Sequence, residues 1–137
     1  MKKTGSENEK LLIVDNRAPF EYHGGHIISA INIFLYDSLV KFYHSHIGEN
    51  VTIVFHCEFS RKRGPAFIGM FRTYDRCLNE YPNISFPNIF LLEGGYSEFY
   101  RKHKELTICG YIPNEHSEYY EQSKRRTNEL FFYTWLV

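Results

Sequence analysis

The chain has 137 residues, which is the size of a single domain with an ordinary hydrophobic core. Its 16 basic and 16 acidic side chains cancel, which excludes bulk electrostatic attraction to nucleic acid or to an anionic membrane. Three cysteines without paired spacing indicate a reducing compartment, and no apolar run is long enough for a membrane span or a signal peptide. We therefore expect an intracellular, soluble protein that binds anions only at a local site.

Four short apolar runs are bounded by turn residues, at positions 11–14, 30–35, 51–55 and 89–92. Their hydrophobicity is continuous rather than alternating, which predicts strands buried on both faces of a parallel sheet. The segments 37–46 and 65–81 are long enough for crossover helices. The pattern predicts an α/β domain, followed by a polar segment, 117–130, that is typical of a surface helix or a partly ordered tail.

The run HCEFSRKRGP, residues 56–65, follows the predicted strand 51–55 and leads into the next helix. The carboxyl ends of parallel strands are where ligands bind, and a loop before a helix can point its N–H groups at an anion. Arg63 can bind two phosphate oxygens at once, and the same field stabilises a thiolate at Cys57. A lone cysteine after a strand is usually a buried small side chain, but these flanking features favour phosphate-ester hydrolysis through a phosphocysteine.

The same run resembles the active-site loop of the M-phase inducer phosphatases, dual-specificity enzymes that activate cyclin-dependent kinases. The similarity continues in VDNRAPFEYHGGHIISAINI (residues 14–33), LLEGGYSEFY (91–100) and YIPNEH (111–116), in the expected order. It implies a rhodanese-like, three-layer α/β domain with a central parallel sheet over residues 11–112. A polar extension, 1–10, precedes that domain, and a helix or partly ordered tail, 113–137, follows it.

The resemblance also implies roles for individual residues and a partner. Cys57 would be the nucleophile and Arg63 the phosphate-binding side chain, with a cradle lined by the N–H groups of Glu58, Phe59, Ser60, Arg61, Lys62 and Arg63. A second set, comprising Arg72, Arg76 and Tyr81, would dock the substrate, a phosphorylated cyclin-dependent kinase with its cyclin. Removing phosphate from phosphotyrosine and phosphothreonine of that kinase would promote mitotic entry. With the resemblance we also expect a monomer located in the nucleus and cytoplasm.

The remaining motif residues are interpreted as structural or as solvent-exposed. We assign strand-end ion pairs and turn geometry to Asp15, Arg17, Glu21, Gly25 and His26. We expect no metal site and no cofactor, because His44 and His46 have no cysteine pair beside them and scattered surface histidines are the simpler explanation. The Lys124-Arg125-Arg126 run is either a weak nuclear address or, more commonly, solvated charge.

Three departures from the family pattern stand out. Lys62 replaces a usually acidic residue that is a candidate proton donor, so either Glu58 supplies the proton or a monoanionic substrate brings its own. Asn16 replaces a cysteine that can form a protective disulfide, and we expect Cys77 and Cys109 to be buried small residues.

Only ten mostly polar residues precede Leu11, so the family's first strand and helix are missing or the sheet is reduced. A missing strand would expose one sheet edge, unless the apolar residues 131–137 cover it.

Two other functions remain open on the same scaffold. Arsenate reductases of this fold share the Cys-x5-Arg loop, and arsenate is a phosphate look-alike. A catalytically weak kinase-docking module is favoured by Lys62 and the short amino terminus, and is disfavoured by the retention of Cys57 and Arg63. Sulfurtransferases of the fold are a poorer match, because their loops generally have one residue fewer between the thiol and the arginine.

Overall fold

The computed structural model describes residues 9–114. The strands are β1 (Lys10–Asp15), β2 (His26–Ile27), β3 (Ile31–Asn32), β4 (Val51–His56), β5 (Ile89–Leu91) and β6 (Thr107–Ile108). The α-helices are α1 (Pro19–His23), α2 (Tyr36–His46), α3 (Arg63–Cys77) and α4 (Gly95–Lys102), and a 3-10 helix spans Lys104–Leu106. The predictions for residues 117–130, 131–137 and Lys124-Arg125-Arg126 lie outside the described residues.

The main sheet is parallel and has the strand order β3-β1-β4-β5. Strand β1 pairs along its whole length with β4, from Lys10 opposite Val51 to Asp15 opposite His56. This register places the ends of both central strands at the same edge of the sheet. Strands β2 and β6 form a separate antiparallel pair. The parallel α/β sheet predicted from the apolar runs is therefore confirmed.

Two of the predicted strands differ from expectation. The run 30–35 contributes only the two residues of β3, because Leu35 already caps α2. The run 89–92 forms β5, which lies at a sheet edge and is not buried on both faces. Phe90 is 55% exposed and Leu91 is 38% exposed. Within residues 9–114 the sheet therefore presents an apolar edge strand.

Helices cover both faces of the sheet. One core contains the inward side chains of α2 and α3 together with those of β1 and β4, including Leu39, Phe55 and Phe71. On the other face Ile27, Ala30 and Tyr96 form a smaller cluster, to which Ile13 and Leu92 add. The resulting three-layer arrangement agrees with the predicted architecture. No helix within the described range is long and apolar enough to cross a bilayer.

Helix α3 begins earlier and ends earlier than the sequence suggests. It starts at Arg63, with Pro65 in the first turn, where a missing N–H breaks no helical hydrogen bond. It ends at Cys77, so Tyr81 lies beyond the helix rather than on it. The buried carboxylate of Asp75 explains the early end, because it accepts hydrogen bonds from the N–H groups of Ser85 and Phe86 and draws the chain back.

Candidate active site

The loop between β4 and α3 begins at Cys57 and leads into Arg63. Cys57 stands at the carboxyl end of β4 and is 3% exposed, and its Sγ accepts a hydrogen bond from the Gly64 N–H at 3.1 Å. Ser60 adopts a left-handed conformation, with φ of 56°, which turns the loop back on itself. Among residues 9–114, no acceptor receives a hydrogen bond from the N–H groups of residues 58–62. The loop thus carries a row of unused donors next to the thiol.

Backbone contacts to the amino terminus of α4 hold the start of this loop. The carbonyl groups of Cys57 and Glu58 accept hydrogen bonds from the Tyr96 and Ser97 N–H groups, both at 2.9 Å. Gly95 makes the close approach possible, since a Cβ there would lie 2.5 Å from both carbonyl oxygens. Its φ of 63° also favours glycine. A side chain at position 95 would push the loop away from α4.

A buried ion pair orients the Arg63 side chain. Its two terminal nitrogens donate to the Glu21 carboxylate at 2.5 and 3.1 Å, and Glu21 also accepts the Ala18 N–H at 2.9 Å. Burial raises the pKa of Glu21 more than the hydrogen bonds and charge of Arg63 lower it. Burial by itself would lower the pKa of the Arg63 guanidinium, but Glu21 and the nearby Cys57 and Glu58 raise it. Arg63 therefore stays cationic while its orientation is fixed by Glu21.

The Glu58 side chain points to the end of the described chain. Its carboxylate accepts hydrogen bonds from the Tyr111 hydroxyl at 2.5 Å and from the Asn114 N–H at 3.2 Å. Burial, together with the hydrogen bond to Glu58, raises the pKa of Tyr111 to about 12. Both carboxylate oxygens are therefore occupied, which favours an anchoring role for Glu58 over proton donation.

Behind the loop lies a fully buried polar group. Asp15 accepts hydrogen bonds from Arg17 at 2.7 to 3.1 Å, and the Arg17 guanidinium lies 4.1 Å from the centroid of the Tyr96 ring. His56 is completely buried, and burial lowers its pKa despite the nearby Asp15, so the imidazole is neutral. Its Nδ1 contacts the Cys57 carbonyl at 3.1 Å and therefore carries the proton. These groups fix the end of β4 just before the cysteine.

The structure brings together some of the residues singled out in the sequence and separates others. Cys57, Arg63 and the residues between them form one loop, whereas the Arg72, Arg76 and Tyr81 set lies elsewhere along α3 and past its end. Arg72 donates to the carbonyl groups of Phe86 and Pro87, Arg76 is exposed, and Tyr81 is 97% exposed. The roles of both sets in catalysis and docking stay predictions.

Two residues of the site were not identified from the sequence. Glu21 was interpreted as structural, yet it binds Arg63, and Tyr111 was not considered individually. The one local signal for Glu21 is the spacing that lets its carboxylate bond the Ala18 N–H at the start of α1. No local signal connects position 111 to position 58.

The predicted environments of the other thiols were wrong. Cys77 and Cys109 are both exposed rather than buried, because Cys77 ends α3 on its outer side and Cys109 follows the edge pair β2–β6. Asn16 is buried, and its side-chain amide donates to the Ile33 carbonyl at 2.8 Å. No cluster of three or more potential ligands for a metal ion occurs in the part of the chain that the structure describes.

Comparisons with known proteins agree with this geometry. The chain is 37% identical over 121 residues to M-phase inducer phosphatase 1-B of Xenopus laevis, covering 83% of this chain and 22% of that protein. It is 38% identical over 118 residues to human M-phase inducer phosphatase 3, covering 81% of this chain and 25% of that protein. The chain thus spans about a quarter or less of the length of these relatives. The resemblance drawn from the motifs is confirmed.

Solved structures add evidence on the fold. The As-Sb reductase of Leishmania major superposes with a TM-score of 0.60 at 22% identity, covering 76% of this chain and 74% of that one. The yeast protein tyrosine phosphatase Ygr203w, described as a member of the rhodanese family, gives 0.56 at 19% identity, covering 82% and 89%. The family model for the rhodanese-like domain matches residues 2–102, so this chain belongs to the rhodanese-like domain family.

Proposed function

We propose that this domain is a cysteine-dependent protein phosphatase that acts on phosphotyrosine and phosphothreonine of a cyclin-dependent kinase. The observation that carries the proposal is the row of N–H groups at residues 58–62, which lie between Cys57 and Arg63 in the chain and bond no acceptor among residues 9–114. Such a row binds a tetrahedral oxyanion through its equatorial oxygens. The 37% and 38% identities to M-phase inducer phosphatases support the reaction and the class of substrate.

The geometry suits a two-step displacement. The Cys57 thiolate, stabilised by the Gly64 N–H, attacks phosphorus while the bond to the leaving oxygen breaks. Arg63 and the loop N–H groups bind the three remaining oxygens, on which negative charge is concentrated in the transition state. Water then hydrolyses the phosphocysteine and releases inorganic phosphate. Because Glu21 and α4 hold the loop before substrate arrives, little reorganisation is needed at the moment of reaction.

Recognition of the kinase would come from a surface away from the loop. Backbone N–H groups bind the phosphate of any phosphorylated side chain alike, so specificity for the kinase requires protein contacts elsewhere. Arg76, in the last turn of α3, and Tyr81, beyond its end, are both exposed, which makes them available to a partner. Arg72 is tied to the carbonyl groups of Phe86 and Pro87, so its contribution would be to hold the neighbouring loop in place.

The proposal is tested with the full chain on a bis-phosphorylated cyclin-dependent kinase bound to its cyclin. We expect the wild type to release phosphate and Cys57→Ser to release none, and a rapidly quenched wild-type reaction to show one phosphoryl group added to the protein by intact mass. Phosphate release that persists in Cys57→Ser would refute the mechanism. Arsenate reduction, assayed in parallel with a thiol reductant, would favour the reductase if it were the faster Cys57-dependent activity.

Matched controls come from the other two thiols. Cys77→Ser and Cys109→Ser make the same chemical change at exposed positions outside the loop, so both variants should retain wild-type phosphate release. A loss in either one equal to that in Cys57→Ser would show that the assay reports general damage to the protein rather than loss of the nucleophile.

A further inference from the structure

The proposed phosphatase reaction leaves one chemical requirement without a residue. The oxygen of a serine, threonine or tyrosine must receive a proton as it leaves phosphorus, and a positioned acid typically accelerates this step about 10²–10⁴-fold. Lys62, the residue just before Arg63, is exposed and basic and does not meet the need. The inference that follows rests on the proposed function and names the group that supplies this proton.

The two carboxylates nearest the loop are already engaged. Glu21 is bonded to both terminal nitrogens of Arg63 and to the Ala18 N–H. Glu58 accepts hydrogen bonds from Tyr111 and from the Asn114 N–H. In both cases the carboxylate form is the acceptor, and proton donation would sacrifice contacts that hold the loop.

A third carboxylate is attached to the loop through its backbone. Glu93 lies in the turn between β5 and α4, which the Gly95 N–H closes on the Leu92 carbonyl at 3.0 Å. Just before this turn the Leu92 N–H donates to the Phe55 carbonyl at 2.9 Å, and just after it the Tyr96 N–H donates to the Cys57 carbonyl at 2.9 Å. Glu93 is therefore held on both sides by the end of β4 and by the nucleophile's own backbone.

The parallel pairing of β4 with β5 places Glu93 relative to the loop. Phe55 pairs with Leu91, so Cys57 and Glu93 follow the two strands at the same edge of the sheet. Leu91 lies so close to Gly64, whose N–H bonds the Cys57 Sγ, that a Cβ at position 64 would contact the Leu91 Cδ1 at 3.0 Å. Glu93 is exposed and has no partner in the described part of the chain.

We propose that Glu93 is the general acid of the first step and the general base of the second. As sulfur bonds to phosphorus and the phosphorus–oxygen bond breaks, the Glu93 carboxyl gives its proton to the leaving oxygen and becomes a carboxylate. In the second step that carboxylate takes a proton from the water that attacks the phosphocysteine, which restores the acid and frees the thiolate.

A leaving-group series tests this assignment in the full chain with Glu93→Gln. A nitrophenolate needs almost no protonation, whereas a phenol needs more and a threonine alkoxide most. We expect kcat/KM for p-nitrophenyl phosphate to change less than about threefold, while kcat/KM for a phosphothreonine peptide falls about 10²–10⁴-fold, with phenyl phosphate between them. The slope of log kcat/KM against the acidity of the leaving group should therefore steepen in the variant.

The outcomes separate this inference from the proposed function. Equal losses across the series would mean that Glu93 only positions the loop, and an unchanged slope would mean that it has no role; either result would overturn the assignment. Glu98→Gln removes the same charge one turn along α4 and should keep the wild-type slope. A wild type that hydrolyses none of these esters through Cys57 would instead refute the proposed function.

Discussion

Two carboxylate–arginine pairs lie within the same domain, and they differ in what surrounds them. Asp15 and Arg17 are completely buried, and Arg17 also donates to the Gly25 carbonyl at 2.7 Å and lies over the Tyr96 ring. Glu21 is equally buried, but the Arg63 side chain remains 8% exposed at the loop. One pair is enclosed by protein, and the other is open to solvent over a small area.

The pKa shifts follow this difference. Burial by itself would raise the pKa of Asp15, but the hydrogen bonds and the charge of Arg17 bring it below its ordinary value. For Glu21, burial prevails and the pKa lies above its ordinary value. The enclosed pair is therefore stable at neutral pH, whereas the open pair is closer to losing its charge. A carboxylate–guanidinium pair thus stabilises the fold at Asp15 and Arg17, and orients the arginine side chain at Glu21 and Arg63.

The largest expected effect is on the enclosed pair. Asp15→Asn leaves the Arg17 charge buried without an anionic partner, and we expect the free energy of unfolding, measured by urea titration, to fall by about 3–5 kcal/mol. The folded-state pKa of Asp15 is depressed, so its contribution is present above about pH 4 and is lost as pH falls through the folded value. The difference between variant and wild type should accordingly shrink below about pH 4.

A surface pair provides the control for this experiment. Glu98 and Arg101 are exposed neighbours on α4, so Glu98→Gln should change the free energy of unfolding by less than about 1 kcal/mol. If Asp15→Asn were no more destabilising than Glu98→Gln, the interpretation of the buried pair as a structural element would be wrong.

The next effect is on activity, through the open pair. Glu21→Gln keeps the shape of the side chain but removes the charge that orients Arg63, and we expect kcat/KM at neutral pH to fall about 10²-fold. Because the pKa of Glu21 is raised, the wild-type carboxyl itself becomes protonated as pH falls through a window above the ordinary glutamate value. The ratio of wild-type to variant kcat/KM should therefore decrease across that window.

Vanadate binding and a rescue variant sharpen this result. Inhibition by vanadate measures how tightly the loop binds an oxyanion, without a chemical step, and this inhibition should weaken in Glu21→Gln. Glu21→Asp retains the charge and should recover part of the activity. A destabilisation equal to that of Asp15→Asn, with kcat/KM per folded molecule unchanged, would show that both pairs are structural and that the contrast between them is mistaken.

The local parts of this arrangement could be predicted from the sequence. The loop and its place at the sheet edge depend on neighbouring residues. They are indicated by the run 51–55, the spacing from Cys57 to Arg63 and the start of a helix near Pro65. The order of the motifs also indicates the rhodanese-like fold. These features share one property, which is that each is decided within a few residues of the chain.

The long-range parts could not be predicted. Glu21 reaches Arg63 across 42 positions and Tyr111 reaches Glu58 across 53, and no local pattern specifies either contact. The end of α3 at Cys77 depends on Asp75 bonding residues ten and eleven positions ahead, which a helical pattern does not reveal. Only the folded sheet, which brings the loops together at one edge, selects these partners.

The smallest expected effect extends the comparison to a third carboxylate, Glu58. Tyr111→Phe removes the hydroxyl that bonds it, and we expect the free energy of unfolding at neutral pH to fall by about 1.5 kcal/mol. The pKa of Tyr111 is raised to about 12, so the contribution of its hydroxyl is complete below about pH 10 and is lost as pH rises through 12. The stability gap between variant and wild type should close over that interval. Tyr81→Phe, at a side chain that is 97% exposed, removes the same hydroxyl without a partner and should leave the unfolding curve unchanged. The absence of a gap at neutral pH would show that the hydroxyl contributes nothing to stability, and Glu58 would then anchor the loop through the Asn114 N–H alone.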